Sequence, residues 1–313
     1  MIRIHFLNVG QGDCCIIEFL DTQRVTMVDI NRDNKIDKES SKEILKSLNE
    51  NLYYCYDLLG RDVTKEMLAE KGYNVILQDP LDYLKKNNIG NIFRFISSHP
   101  HMDHLSGISK LKEEIGFTNI WVVKNKYEQD LSKLTECQKH DWDFYKQIRD
   151  TTKNSINGTW IVRPEEGHQE HYYMEDGIQI LSPNATLKEG GDSNANKLSY
   201  VLLITHKEKK ILLTGDAEQE TWEYLLNNYT KELKNIDILK AAHHGRDSGY
   251  YQPAVKHMAP KYTIVSVGKK PETDASNKYR QYSEKVWSTR WKGNIVFKID
   301  DYGVIDSYAQ YER

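Results

Sequence analysis

The sequence predicts an α/β fold in which two mixed sheets pack together with helices on their outer faces. Three observations carry that prediction. The chain has 313 residues, 39% hydrophobic and 28% charged, so it can bury a large core and is neither disordered nor fibrous. Apolar runs of strand length alternate with runs of helical spacing. This alternation occurs separately in each half of the chain, as two packed sheets require.

Residues 2–19 place apolar side chains on either side of Gly10-Gln11-Gly12-Asp13, the pattern of a strand, a tight glycine turn and a returning strand. Residues 25–30 read as a third strand with Asp29 near its end, 31–40 as a loop and 41–49 as a helix. A helical insertion is predicted near 51–90, with short helices at 65–72 and 81–87 punctuated by Gly72 and Pro80. Residues 92–98 form a buried strand running into His99, and 105–114 a helix. A second helical insertion is predicted near 124–172, where 127–149 have helical spacing with charges all round. The second half predicts strands at 178–181, 198–205 and 211–213, then a helix at 218–228. Strands at 236–239, 262–267, 294–299 and 304–309 complete the series. Without a repeat or low-complexity tract, 1–313 reads as a single domain.

A net charge of -3 provides no global pull toward nucleic acid or an anionic membrane, so any attraction to phosphate has to be local. The four cysteines are too few and too irregular for a disulfide framework, and no Cys-x-x-Cys metal pair occurs. The first residues follow a strand pattern without a secretion signal, and no apolar run is long enough to span a bilayer. A cytoplasmic protein without a membrane partner is the expectation; nothing in the sequence fixes the oligomeric state.

The most informative segment is Ser98-His99-Pro100-His101-Met102-Asp103-His104-Leu105-Ser106-Gly107. Three imidazoles and a carboxylate lie within six positions directly after a strand, where a loop can fold several donors toward one point. Imidazole and carboxylate ligands suit zinc, manganese or iron. A lone histidine is usually a satisfied structural residue, and the spacing of four donors reverses that reading. Two later segments add donors at strand ends, Asp216 in Thr214-Gly215-Asp216 and the pair His243-His244. Taken alone, the first is an ordinary turn and the second an ordinary structural pair.

At His99, His101, Asp103 and His104 the sequence resembles the metallo-β-lactamase superfamily, whose signature is His-x-His-x-Asp-His. The resemblance implies an αββα metallo-β-lactamase-like sandwich with its site at one edge of the two sheets. It assigns His99 and His101 to one metal, Asp103, His104 and His243 to a second, and Asp216 to the bridge. The chain is most similar to the ComEC-like, competence-type branch, which comprises hydrolase domains of DNA-uptake proteins and free-standing relatives. Asn8-Val9-Gly10-Gln11-Gly12-Asp13 matches its opening element, Asn196, Ser199, Val201 and Leu202 match a later strand, and His243-His244-Gly245 matches its His-His-Gly-Ser segment with Arg246 in place of Ser. These matches run roughly from 2 to 297. Three departures stand out. Near Asn196 many members supply a further histidine that this chain lacks; Asn277 to Tyr282 lack the branch's His and Pro; and Asn8 replaces an acidic residue.

The resemblance implies a metal-dependent hydrolase using zinc at two sites, with manganese as an alternative. Two cations about 3.5–4 Å apart acidify a shared water and neutralise charge on a phosphoryl oxygen. A phosphodiesterase or nuclease acting on a phosphate ester, with nucleic acid as the possible partner, is the leading expectation. The alternatives are a small-molecule hydrolase (cyclic nucleotide, phosphocholine ester or lactone) and a non-catalytic metal-binding scaffold. Asp103 is expected to orient the attacking water, and His244 or Lys240 to stabilise the oxyanion or protonate the leaving group. Asp29 either fixes a ligand histidine or is a plain strand-end turn residue. Asn196, Asn277 and Tyr279 are candidate substrate contacts. Lys207, Lys209, Lys210, Lys269, Lys270, Lys278 and Arg280, with Tyr279 and Tyr282 for stacking, form a candidate phosphate track, although such charges usually make a solvated face.

Overall fold

The computed structural model describes residues 1–32, 36, 38–266 and 276–311. β1 (Ile2–Phe6) and β2 (Cys15–Phe19) form the predicted hairpin, Ile4 opposite Ile17, and β3 (Arg24–Val28) continues antiparallel. Four helices follow, α1 (Lys38–Leu48), α2 (Glu50–Leu58), α3 (Lys65–Glu70) and α4 (Pro80–Lys86), before β4 (Ile92–Ile96) returns parallel to β3. Parallel pairing requires such a crossover. Asp79 starts α4 by accepting from the amides of Leu81 and Asp82, with Pro80 in the first turn where its missing N–H costs nothing.

The crossover through α5 (Ile108–Glu114) leads to β5 (Phe117–Trp121), parallel to β4. α6 (Glu136–Asp150) opens with a reciprocal cap between Thr135 and Gln138. It leads to β6 (Ser155–Ile156) and β7 (Thr159–Val162), and β7 pairs with β5. The segment read as a charged helical insertion therefore also extends the sheet. α6 does not lie loose on the surface, because Trp142, Tyr145 and Ile148 form a buried face at helical spacing that the surrounding charges masked in the sequence.

Next come α7 (His171–Glu175), β8 (Ile178–Ser182), α8 (Ala185–Glu189), β9 (Val201–His206), β10 (Lys209–Leu213) and α9 (Gln219–Asn228). β11 (Ile238–Lys240), α10 (Gln252–Met258), β12 (Tyr262–Val265), α11 (Ser276–Tyr279), β13 (Lys285–Ser288) and α12 (Thr289–Lys292) follow. β14 (Ile295–Ile299) and β15 (Ile305–Ala309) close the chain back onto β1. The predicted strand at 262–267 ends within the described residues at Val265, and Val267 lies outside them.

Among the described residues one sheet has the order β15-β14-β1-β2-β3-β4-β5-β7-β6 and the other β13-β12-β11-β10-β9-β8. Both mix parallel and antiparallel pairs. Ile4, Ile17, Ile96 and Trp121 of the first meet Leu202, Ile211, Leu213 and Ile264 of the second in the central core. Adjacent residues of β4 show the strand period at work, since Ile96 enters this core while Phe95 faces out under α4, α5 and α6. On the other side Trp222 and Leu225 of α9 and Val255 and Met258 of α10 cover Leu203, Leu212 and Leu239. Each such fully buried aliphatic side chain contributes roughly 1.5–3 kcal/mol. The result is the αββα sandwich of two mixed sheets with outer helices that the sequence predicted. Among the described residues no helix is long and apolar enough to cross a membrane.

Candidate metal centre

The turn before β2 and the ends of β3, β4, β10, β11 and β12 meet at one edge of the sandwich. Ligands of open α/β sheets collect at the carboxyl ends of parallel strands, where loops converge. Two backbone constraints bring the loops this close. At Gly12, with φ +146, a Cβ would stand 2.5 Å from the Asp103 carbonyl oxygen and from Asn31 Nδ2, so only glycine lets the opening turn press on the histidine loop. The Asp13 amide then donates to the Asp103 carbonyl at 3.1 Å. His243 (φ 50) and His244 (φ 57) both adopt the left-handed conformation, costly for non-glycine residues and typical of functional turns.

His104 Nδ1 is 2.8 Å from Asp29 Oδ2. A carboxylate only accepts, so Nδ1 carries a proton and the neutral ring presents Nε2 as a lone pair. His244 obeys the same logic: its Nδ1 is 3.4 Å from Asp13 Oδ1 and 3.3 Å from Ser266 Oγ, whose own proton goes to Asp13. Ser98 Oγ donates to Asp29 at 2.7 Å and so accepts from His99 Nδ1 at 3.0 Å, which frees His99 Nε2 as well. Once deprotonated, all three imidazoles point Nε2 lone pairs inward.

Those lone pairs converge. His104 Nε2 and His244 Nε2 are 3.3 Å apart, and His244 Nε2 is 3.2 Å from Asp103 Oδ2. Asp216 Oδ1 is 3.3 Å from His104 Nε2, while Asp216 Oδ2 is 3.5 Å from His99 Nε2 and 3.6 Å from His244 Nε2. His99 Nε2 and His101 Nδ1 are 3.1 Å apart. Asp216 thus belongs to two groups of donors, one with His104 and His244 and one with His99 and His101, the ligand atoms in each lying within 4.8 Å of one another. Among the described residues its buried Oδ1 takes no hydrogen bond. A buried carboxylate among imidazole nitrogens is costly unless positive charge, ring protons or a metal ion, joins them, and nitrogens at about 2.0–2.1 Å from a tetrahedral zinc stand close to the separation seen here. The donor set therefore fits a metal pair.

Electrostatics agree with that fit. Burial opposes charge on His104, yet Asp216 and Asp29 outweigh it and raise its pKa well above the usual imidazole range. The same contest between burial and the carboxylates Asp216 and Asp13 moves His244 up to about 9. Burial also opposes ionisation of Asp216, but His244 and His104 hold it well below the ordinary carboxylate range. His101 differs: burial, aided by His99, pushes it down to about 3. The first group draws positive charge inward, and the second is already free of protons at neutral pH.

His243 stays beside the cluster, and other residues expected from the sequence are placed apart from it. His243, expected among the second group, reaches Asp216 Oδ2 at 3.6 Å, but its Nδ1 is 2.7 Å from Ser248 Oγ and 3.5 Å from Glu218; the left-handed pair turns His244, not His243, toward His104. His244, expected to stabilise the oxyanion or protonate the leaving group, lies in the donor group with His104 and Asp216. Lys240, expected to protonate a leaving group, is buried with Nζ 2.8 Å from Asp13 Oδ2, so it neutralises the carboxylate behind His244. Asp13 lies on the Nδ1 side of His244, engaged by Lys240 and Ser266, although its oxygens fall within ligand range.

Asn196 donates to Glu218 Oε1 at 2.9 Å and keeps a buried, unpartnered Oδ1. Tyr279, a candidate substrate contact, is 1% exposed and packs on Tyr250 beneath the His243 turn, so no base can stack on it. Asn277 is exposed and accepts from Arg280 at 2.7 Å, and Lys278 pairs with Asp247 at 2.7 Å. Lys207, Lys209 and Lys210 sit at the start of β10, the end opposite Asp216, and Lys210 is bound to the carbonyls of Lys231, Glu232 and Lys234. Lys209 and Lys210 thus stand away from the donor cluster; Lys269 and Lys270 lie outside the described residues.

Sequence reasoning missed Glu218, which joins Asn194, Asn196 and His243 beside the cluster. Its only signal was its place two residues after Asp216. It also missed Tyr127, whose ring centroid is 5.4 Å from that of His101 and which brings residues after β5 over the donors.

No family model matches the chain. It is similar to Recombination protein 2 of Haemophilus influenzae, 27% identical over 220 residues, covering 69% of this chain and 23% of that protein. The chain therefore spans about a quarter of that relative's length. Among solved structures it resembles a metallo hydrolase from the hyperthermophilic archaeon Ignicoccus hospitalis, with a TM-score of 0.49 and 12% identity over 98% of both chains. A diphosphatase of the PhnP family (0.41, 9%, 92% of this chain and 95% of that one) and unliganded yeast PDE1 (0.40, 12%, 92% and 98%) are also similar.

Proposed function

We propose that the chain is a metal-dependent hydrolase of phosphate esters, a phosphodiesterase or nuclease, with zinc or manganese at two sites that share Asp216. The observation that carries this reading is Asp216 itself, one buried carboxylate with His104 Nε2 at its Oδ1 and both His99 Nε2 and His244 Nε2 at its Oδ2. Similarity to Recombination protein 2 supports a nucleic-acid substrate.

In this reading His99 and His101 hold one cation, His104, His244 and Asp103 the other, and Asp216 both. When bound, the pair supplies Lewis-acid polarisation of a phosphoryl oxygen and acidification of water. Asp29 and Asp13 fix the histidine tautomers, and Lys240 and Ser266 fix Asp13. The Asp103 side chain, 30% exposed where Asp216 is 2% exposed, is the carboxylate that accepts a hydrogen bond from incoming water and so orients it. Tyr127 above His101 supports a second reading, hydrolysis of a small ester in a roofed pocket.

Purified protein stripped by chelation and reloaded with zinc or manganese is to be tested on plasmid DNA, RNA and bis(p-nitrophenyl) phosphate. Cleavage of polymer and ester that disappears in Asp103→Ala is the expected result. Hydrolysis of the ester alone would favour the small-molecule reading. Metal uptake without hydrolysis of any substrate would replace the enzyme by a scaffold.

A further inference from the structure

Arg246 stands where the resembling branch carries serine, directly after His243-His244-Gly245. Its Nη1 donates to His243 Nε2 at 3.3 Å, and that same nitrogen is 3.6 Å from Asp216 Oδ2. The guanidinium and the shared carboxylate thus approach the same imidazole nitrogen. Among the described residues it pairs with no acid, because each acid nearby is engaged by another partner. Glu218 is held by Asn194, Asn196 and His243, Asp247 by Lys278, and Asp216 faces the histidines. Arg246 Nε is buried without a partner, and Nη2 makes no hydrogen bond to a described residue.

A half-buried guanidinium without a counter-ion is free to take an anion from solvent, and its planar fork matches the two oxygens of a phosphate. Ser248 and Glu218 hold the other face of His243, so the ring on which Arg246 leans is itself fixed. Among the described residues Arg246 makes no hydrogen bond or ion pair to His99, His101, Asp103, His104, His244 or Asp216 and reaches the cluster edge only at His243 Nε2, which places the anion it takes beside the reacting group.

We propose that Arg246 binds a second, non-scissile phosphate of the substrate, next to the phosphoryl group engaged at the Asp216 cluster. This rests on the phosphate-ester reading and narrows it to substrates with two adjacent phosphates, whether a strand or a short terminally phosphorylated piece. The residue is a specificity determinant and takes no part in bond making or breaking.

The test compares thymidylyl-thymidine with and without a 5′-terminal phosphate in the metal-loaded wild type, Arg246→Gln and Arg246→Lys. Wild type is expected to favour the phosphorylated dinucleotide at least about tenfold through KM. Arg246→Gln loses that preference with kcat and the unphosphorylated substrate unchanged, while Arg246→Lys keeps part of it. A longer oligonucleotide that retains its preference in Arg246→Gln while the short piece loses it would assign Arg246 to terminal phosphates only. Equal loss of kcat on both dinucleotides would overturn the proposal by assigning Arg246 to the scissile group, as would no change on either. If no dinucleotide is cleaved, the hydrolase reading fails and binding still decides this one. Calorimetric titration with thymidine 3′,5′-bisphosphate against thymidine 5′-phosphate should show at least about tenfold selectivity for the bisphosphate in wild type and none in Arg246→Gln, and equal selectivity in both would overturn it. Unchanged metal content and melting temperature in Arg246→Gln exclude a general loss of fold.

Discussion

The two donor groups around Asp216 are built differently. Behind His104 and His244 stand Asp29 and Asp13, the latter held by Lys240 and Ser266, so both rings are fixed through carboxylates. Among the described residues His99 has a serine hydroxyl behind it and no carboxylate, and His101 has a tyrosine ring. Where many members of the resembling superfamily add an imidazole, this chain places Asn196, which is turned to Glu218. A carboxylate behind an imidazole orients the ring and raises its basicity. On the proposed two-cation reading, the comparison makes the His104/His244 side the stronger holder and the His99/His101 side the one filled second.

The largest effect that sharpens this comparison comes from the residue common to both sides. Asp216→Ala removes a carboxylate from each group, and loss of a single electrostatic donor from a reacting centre already costs about 10²–10³-fold. A fall in kcat of at least about 10³-fold, with bound metal falling toward zero in elemental analysis, is expected. Retention of one full equivalent of metal would show that the two groups do not share it.

Protons provide the next test. In the metal-free protein His104 is held well above its ordinary value of 6.5 and His244 at about 9, so binding between them expels protons. Affinity on that side should rise about tenfold per pH unit for each proton released, with the His244 contribution levelling off above about 9. His101 sits at about 3, so its side should show no such slope near neutrality. For stability the sign follows from the raised values. The two imidazolium groups stabilise the metal-free fold fully below pH 6.5, and the His244 part is lost as pH climbs through about 9. Asp13, Asp103 and Asp216, depressed below their ordinary 3.8, stabilise it above that pH and cease to do so in acid. The melting-temperature gap between metal-loaded and metal-free protein should widen between pH 6.5 and about 9. A constant gap would break the asymmetry.

Replacing Gly12 by alanine should damage both sides through the backbone. The new Cβ has 2.5 Å to the Asp103 carbonyl oxygen and a backbone φ of +146 to contend with. A cost of about 2–3 kcal/mol, read as a lower denaturation midpoint, is expected.

Much of this was legible because chemistry that must be close in space was close in sequence. The run from His99 to His104 supplies four donors from one loop, and strand periodicity announced β1, β2, β4, β9 and β14. What stayed hidden depended on direction or distance. No pattern in His243-His244 says which ring faces His104, since that is decided by two left-handed residues. Asp13 and Lys240 are 227 positions apart and meet only because the opening hairpin and β11 end at the same edge. β5 and β7 were missed as strands because Asn119, Thr159 and Trp160 blur their short apolar runs, although burial of Ile120, Trp121 and Ile161 settles them in the sheet.

Removing the carboxylates behind the first group tests the comparison at its finest grain. Asp29→Asn and Asp13→Asn keep the shape but weaken acceptance from Nδ1, and such supporting partners are typically worth 10–100-fold in metal affinity. The fall should be confined to the His104/His244 side, so titration of either variant shows one weakened and one unchanged equivalent. Asp13→Asn also strips Lys240 of its counter-ion and leaves a buried ammonium without a partner. The double variant Asp13→Asn, Lys240→Met removes that charge, so it should recover melting temperature but not metal affinity. Recovery of both would mean that Asp13 serves the fold and leaves His244 to orient itself.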